Sequence, residues 1–280
     1  MILRRRIKRS IRANLTGRWT TFLDFPIFRP NSTGPSRQMT DLTVFGINSI
    51  IPRLQDFLES RPATIPTDVN DISVFALDEV TTKHADTLDA LFRKHGSDKS
   101  RKHNYHLLLA YILRDPAKVE RVLEIGMGTN NKDVVSNMGS RGQPGASLRA
   151  FRDFLLDATV YGADFDKRIL FTEDRIETHF VDQNDPDTLS DLSNILPEGF
   201  DLIIDDGLHA PHANIAVLTM ALPKLKSGGW FLVEDIADEA VPVWQVVSHM
   251  MPEGYGAHII QTRGSIVFAV QRLSEDSSAA

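Results

Sequence analysis

A repeating order of strand and helix, with a carboxylate closing nearly every strand, constrains this chain more than any other feature. Residues 119–125 have strand character and run into Gly126-Met127-Gly128. Residues 159–163 stop at Asp164, 176–181 at Asp182-Gln183, 200–204 at Asp205-Asp206 and 230–233 at Glu234-Asp235. Helical segments at 147–156 and 215–225 alternate with them. Alternation of this kind predicts a parallel sheet with right-handed helical crossovers. The last two strands, 258–261 and 266–270, are joined only by Thr262-Arg263-Gly264-Ser265, too few residues for a parallel crossover. The expected fold is therefore α/β: a doubly wound, mostly parallel, seven-stranded sheet ending in an antiparallel hairpin.

Upstream of the sheet the pattern is different. A helical segment begins near Thr81 and stops at Gly96, and a second occupies 106–113, so residues 81–118 read as a helical cap. Residues 1–80 read as an irregular extension, rich in Pro, Ser, Thr and Asn, with one short helix at 51–58, and the tail from Ser274 as frayed. The 119–273 segment remains as the ligand-binding domain. Arg4, Arg5, Arg6, Lys8, Arg9, Arg12 and Arg18 open the chain without a single acid, although its formal charge is -6. Such an arm reads either as a solvated terminus or as a contact for an anionic membrane surface, nucleic acid or an acidic partner. No apolar segment comes after it as in a secretory signal, so the cytoplasm is the expected compartment. The acidic body disfavours nucleic acid as a partner. The sequence contains no cysteine, which excludes a thiolate nucleophile and a cysteine zinc site. A homo-oligomer stays open.

Open parallel sheets bind ligands beyond the carboxyl ends of their strands, so the carboxylates should converge on one rim. Glu124, Gly126, Gly128 and Thr129 form its first turn. A dinucleotide fingerprint would want a third glycine where Asn131 stands, with a helix opening there to take the pyrophosphate. The turn instead suits a phosphate-free nucleoside such as S-adenosylmethionine. Asp164 is placed to accept from a ribose diol or to cap the next segment of chain, and Asp182 and Gln183 to read an adenine edge or to cap the next helix. Ser147 opens the helix after the turn, and Asp205, beside Asp206 but on the opposite face of its strand, is expected at the cofactor with Glu124 and the turn.

Asp206, Gly207 and His209 put an imidazole one turn from a carboxylate, the arrangement of a general base that takes a hydroxyl proton. Asp206, Glu234 and Asp235 would repel one another unless a cation sits among them, for which oxygen ligation favours Mg²⁺, or unless they cap helices or pair with Lys and Arg from elsewhere in the chain. Lys99, His103 and Tyr105, in the polar stretch between the two cap helices, either close over the cofactor or are solvated. His84, His95, His179, His212, His249 and His258 show no metal-ligand spacing.

Taken in order, the runs 122–131, 144–149, 161–164, 181–184, 204–209 and 233–235 resemble class I S-adenosylmethionine-dependent methyltransferases. In particular they are similar to the macrolide-sugar O-methyltransferases of the macrocin and mycinamicin type; chains that carry the name cephalosporin hydroxylase are similar too. The likeness spans roughly 94 to 236 and takes in Gly96-Ser97-Asp98-Lys99 and His103-Asn104-Tyr105. It departs at Leu208, where those enzymes have a small Ser, and in the long first loop, 130–143. The resemblance implies methyl transfer from S-adenosylmethionine to a hydroxyl of a sugar or glycosylated small molecule. It implies Asp206, Glu234 and Asp235 as Mg²⁺ ligands, His209 as the base, and Ser147, Asp164, Asp182 and Gln183 at the cofactor. Two other classes compete: a nicotinamide-dependent enzyme, and a nucleoside-binding protein that keeps the fold without catalysis.

Overall fold

The computed structural model describes residues 68–274 together with Asp41, Leu42, Phe45, Gly46, Ser49 and Arg53. The basic arm, the helix expected at 51–58 apart from Arg53, and the tail beyond Ser274 lie outside the described residues. Among the described residues nine strands form a single mixed sheet: β1 (Val69–Asp71), β2 (Arg121–Ile125), β3 (Thr159–Asp164), β4 (Thr172–Glu173), β5 (Ile176–Phe180), β6 (Phe200–Asp205), β7 (Leu225–Ile236), β8 (Tyr255–Gln261) and β9 (Ile266–Arg272). Their order is β1-β8-β9-β7-β6-β2-β3-β5-β4. From residue 68 onward the α-helices are α1 (Glu79–His95), α2 (Tyr105–Ile112), α3 (Ala146–Phe154), α4 (Pro186–Ile195), α5 (Pro211–Ala221) and α6 (Val241–His249).

The strand count departs from the expected seven because each edge gains a short strand. Val69–Asp71 pairs parallel with β8, and Thr172–Glu173 pairs antiparallel with β5. Two or three residues are too few to show alternation, so periodicity gives no warning of them. Helix α6 is a further element without a counterpart in the sequence reading. The four strands β5, β3, β2 and β6 and the neighbouring β7 run parallel, whereas β9 is antiparallel to both β7 and β8.

Alternation along each strand builds two cores, one per face. Val122, Val160, Leu202, Ile204 and Leu232 point to the side covered by Leu88 and Phe92 of α1, Leu108 and Leu109 of α2 and Phe151 of α3. Leu123, Ile125, Ile203, Phe231 and Val233 point the other way, under Leu189 and Leu192 of α4, Leu218 of α5 and Trp244 of α6.

Helix α1 is held at both ends. Asp78 accepts from the Thr81 N–H at 2.8 Å while Thr81 Oγ1 accepts from the Asp78 N–H at 2.8 Å, a reciprocal capping box. At the other end Gly96 sits at φ +86, and the Gly96 and Ser97 N–H groups both donate to the Phe92 carbonyl. That stop turns the chain back over the sheet and carries residues 97–104 onto the rim.

Candidate active site

The first turn of the rim is dictated by a close backbone approach. Gly126 has φ +90, and a Cβ there would collide with the backbone of Asp206 and Gly207. Only glycine lets the tips of β2 and β6 touch in this way. Asp164 then fixes the turn: its Oδ2 accepts from the Met127 N–H at 2.8 Å and its Oδ1 from the Asp166 N–H at 2.8 Å. Burial raises its pKa in spite of these donors. Asp166, which the sequence reading did not single out, accepts from Thr129 Oγ1 and Asn131 Nδ2, each at 2.7 Å. Its bond from Arg168 above all holds its carboxyl below the usual range. Its only sequence signal is its place two residues after a strand-closing Asp.

Gly126, Gly128, Thr129, Ser147, Asp164, Asp182 and Gln183 line a cavity of about 1050 Å³ together with Asp206, His209 and Asp235. Glu124 and Asp205, expected at the cofactor, stand behind the wall, each fully buried. Glu124 accepts from Ser147 Oγ, which sits in the first turn of α3 while Gly145 occupies the cap position. Asp205 accepts from Gln183 Nε2 at 2.7 Å and Asn214 Nδ2 at 2.8 Å, and burial pushes its pKa up to about 6. Gln183 is engaged at both ends, since its Oε1 also accepts from the Leu208 N–H at 2.8 Å. Its amide ties β5 to β6 instead of being spare for an adenine edge. Asp182 accepts from the Asn184 N–H at 2.9 Å, a local turn.

At the tip of β6, Asp206 and His209 face each other with Asp206 Oδ1 3.9 Å from His209 Nε2. Asp235 Oδ1 accepts from Tyr105 Oη at 2.6 Å and lies 3.4 Å from His103 Nδ1. Tyr105 Oη also bonds Ser265 Oγ at 2.5 Å, and burial with the Asp235 charge lifts its pKa well above the ordinary phenol. His209 and Asp235 both adopt left-handed backbone, at φ +54 and φ +55. Non-glycine residues there carry strain of about 1–3 kcal/mol and concentrate at functional sites. At Asp235 the strain accompanies a register shift in β7 between Val233 and Ile236.

The cation that the carboxylates require is partly supplied by the chain itself. Lys99 Nζ lies 3.0 Å from Glu124 Oε1 and 2.9 Å from Asp206 Oδ2, and it bonds Glu234 Oε2. Burial alone would lower this ammonium's pKa, but Asp206, Glu124 and Glu234 outweigh it and hold it well above the lysine range. Burial raises the pKa of Asp206 and Glu234 against the pull of Lys99.

The donors present fit a divalent ion. Asp206, His209 and Asp235 offer ligand atoms within 4.8 Å of one another, while Glu234 Oε1 and His209 Nδ1 are buried without hydrogen-bond partners. A nucleoside cofactor also fits, because the backbone of the Gly126–Gly128 turn lines the cavity together with the buried polar side chains of Thr129, Ser147 and Asp164.

Residues 142–236 match the family described as "Methyltransferase domain". Curated relatives include the 8-demethyl-8-alpha-L-rhamnosyl tetracenomycin-C 2'-O-methyltransferase of Streptomyces olivaceus, 31% identical over 65% of this chain and 43% of that protein. The demethylmacrocin O-methyltransferase of Streptomyces fradiae is 33% identical over 41% of this chain and 27% of its own length. Among solved structures, the MycE methyltransferase of the mycinamycin biosynthetic pathway, in complex with Mg and SAH, superposes with a TM-score of 0.53 at 22% identity. That superposition covers 69% of this chain and 56% of the other. The fold is thus the methyltransferase fold, and it contains the segment 142–236 that matches a methyltransferase domain. The resemblance drawn from the sequence to enzymes of the macrocin and mycinamicin type is borne out. The chain spans less than half the length of the curated relatives it matches.

Proposed function

We propose that this chain transfers a methyl group from S-adenosylmethionine to a hydroxyl of a sugar or glycosylated small molecule, with a divalent cation at the rim. One observation carries the reading. Asp206, His209 and Asp235 offer ligand atoms within 4.8 Å of one another in the lining of the same cavity that the Gly126–Gly128 turn and Asp164 line. The cofactor supplies a methyl on a sulfonium centre, which forms an O–C bond with the acceptor as its C–S bond breaks. The chain must hold the acceptor oxygen and remove its proton. His209 is the group for that proton, since its ring sits at the cavity with Asp206 beside it to steady the imidazolium. Asp206 and Asp235 would hold the cation, which lowers the pKa of a bound hydroxyl.

Relatives named as methyltransferases of glycosylated natural products support the acceptor class, as do the exposed apolar side chains Phe45, Met138 and Phe165 along the cavity. Residues 119–273 would be the cofactor domain and 81–118 a cap that delivers Lys99 and Tyr105. Among the described residues no helix is long and apolar enough to cross a membrane.

Isothermal titration with S-adenosylmethionine and with NAD, each with Mg²⁺ and with chelator, tests the reading. Binding of the first and not the second is expected; NAD binding alone would overturn it.

A further inference from the structure

Acids crowd the lining of the cavity, and the fold supplies partners for most of them. Asp98 lies 3.5 Å from Lys102 Nζ, and Asp133 accepts from both arms of the Arg168 guanidinium, at 3.0 and 3.1 Å. Asp182 and Asp164 accept from backbone N–H groups, and Asp206 and Asp235 from side chains of the 97–105 segment. Among the described residues the same lining holds Lys99, Arg101, Lys102 and Arg141. Both lysines are taken up by acids. Arg101 and Arg141 are exposed, and among the described residues neither guanidinium is paired with a carboxylate. Exposed arginines elsewhere behave differently: Arg93 pairs with Asp89 at 2.8 Å and Arg114 with Asp78 at 3.5 Å. In a chain of formal charge -6, two unpaired guanidinium groups at an acid-lined cavity are positive charge that a ligand can meet.

Both arginines stand on backbone that the fold ties down. The Arg101 carbonyl accepts from Arg263 Nη1 at 3.3 Å, and the Lys102 N–H beside it donates to the Asp98 carbonyl at 3.0 Å. Arg141 sits in a tight turn closed by the Gly142 N–H on the Gly139 carbonyl at 3.0 Å, and Met138 lies against both Gly142 and Gly128. The two segments meet. Gln143 Cγ is 3.1 Å from where a Cβ on Gly96 would stand, so the chain that carries Arg141 touches the chain that carries Arg101. A guanidinium is a planar fork that stays charged at any working pH and donates paired N–H bonds to a carboxylate or a phosphate. Two forks on touching segments suit an anion with several oxygens.

We propose that Arg101 and Arg141 form an anion-binding pair at the cavity, and that the acceptor is a sugar bearing a phosphate or a carboxylate. The arginines hold the anionic group while a hydroxyl of the same molecule meets His209. Phosphate esters and uronates share this chemistry. The inference names the acceptor class for the methyl transfer proposed above and rests on that reading.

Calorimetric titration of the full chain with glucose 1-phosphate, glucuronate and glucose tests it. The chain is saturated with S-adenosylhomocysteine and kept in chelator, so that no divalent ion attracts the anion. At least one anionic probe should bind about tenfold or more tighter than glucose, and the margin should shrink as salt rises. R101A/R141A should remove the margin while S-adenosylhomocysteine affinity stays within about threefold of the wild type. A margin for glucose 1-phosphate names a phosphate ester, and one for glucuronate names a uronate. Equal affinity of the wild type for the three probes, or binding of none, would overturn the pair, as would a margin that survives the double variant. Loss of S-adenosylhomocysteine affinity beyond about threefold in the double variant would give the arginines to the cofactor's own carboxylate and overturn the acceptor class. If the wild type binds no S-adenosylhomocysteine, the methyl-transfer reading fails by itself, and the same probes without cofactor still decide the anion site.

Discussion

At the tip of β3, Asp164 is held by the backbone N–H groups of Met127 and Asp166. At the tips of β6 and β7, Asp206 and Asp235 are held by side chains from a distant part of the chain, Lys99 and Tyr105. The part of the rim proposed for the cofactor is thus satisfied by backbone of the turns that its own strands enter. The part proposed for the acceptor is satisfied by the 97–105 segment that crosses it, and it adds left-handed backbone at His209 and Asp235. The difference teaches that one half is a rigid frame while the other is assembled by tertiary contacts and carries strain. Substitutions should therefore separate cofactor binding from chemistry.

His209→Ala should break the symmetry between the halves most completely. Turnover should fall by about 10²–10⁴, or about 3–5 kcal/mol of barrier, while S-adenosylmethionine affinity stays within about twofold. Steady-state rates and calorimetry on the same preparation check both. An unchanged rate would remove His209 from the chemistry, and a matched loss of affinity would mean that the two halves are not separable.

Gly126 tests the place where the halves touch. Gly126→Ala puts a Cβ at φ +90 into the backbone of Asp206 and Gly207, and backbone cannot swing aside. A cost of about 3 kcal/mol in urea unfolding is expected, with loss of cofactor affinity. Gly128→Ala, at φ +76, meets only the side chain of Met138 and should cost about 1 kcal/mol. Equal effects would mean that the contact between the β2 and β6 tips is looser than the geometry implies.

The same contrast decides what was legible in the sequence. Asp164, Gly126 and the strands that carry them follow from local periodicity and from what a turn beyond a parallel strand must do. Lys99 was not legible as the cation, although the carboxylates themselves called for one. Its partnership with Glu124, Asp206 and Glu234 exists only in three dimensions, and in sequence it sits in a polar stretch between two helices. Its company gives a weak signal: a helix-stopping Gly96 and a buried Ser100 around a lysine are unusual in a solvated loop. The adenine role expected for Gln183 met a similar limit, because nothing local announces that Asp205 and Leu208 consume both ends of its amide. Helix α6 and the edge strands β1 and β4 escaped because they are too short, or too evenly apolar, to show a period.

The smallest expected effect sharpens the join between the halves. His212, in the first turn of α5, is 3% exposed, and its Nε2 lies 2.7 Å from Asn184 Oδ1 beyond the tip of β5, which fits an N–H donor. Burial, with a lesser push from Arg53, lowers its pKa to about 4. The folded chain thus keeps this ring neutral down to about pH 4, whereas the unfolded chain protonates it below about 6.5. The unfolded state binds the extra proton between those values. Stability from this group is therefore present above about pH 6.5 and is lost as the pH falls toward 4. Between pH 7 and pH 5 the loss should be about 2 kcal/mol. His212→Gln keeps an N–H for Asn184 but has nothing to titrate, so its urea stability should fall less than that of the wild type over the same interval, by about that amount. Parallel curves for the two proteins would mean that the ring is solvated in the folded state, and the join between the two halves would then be open to water.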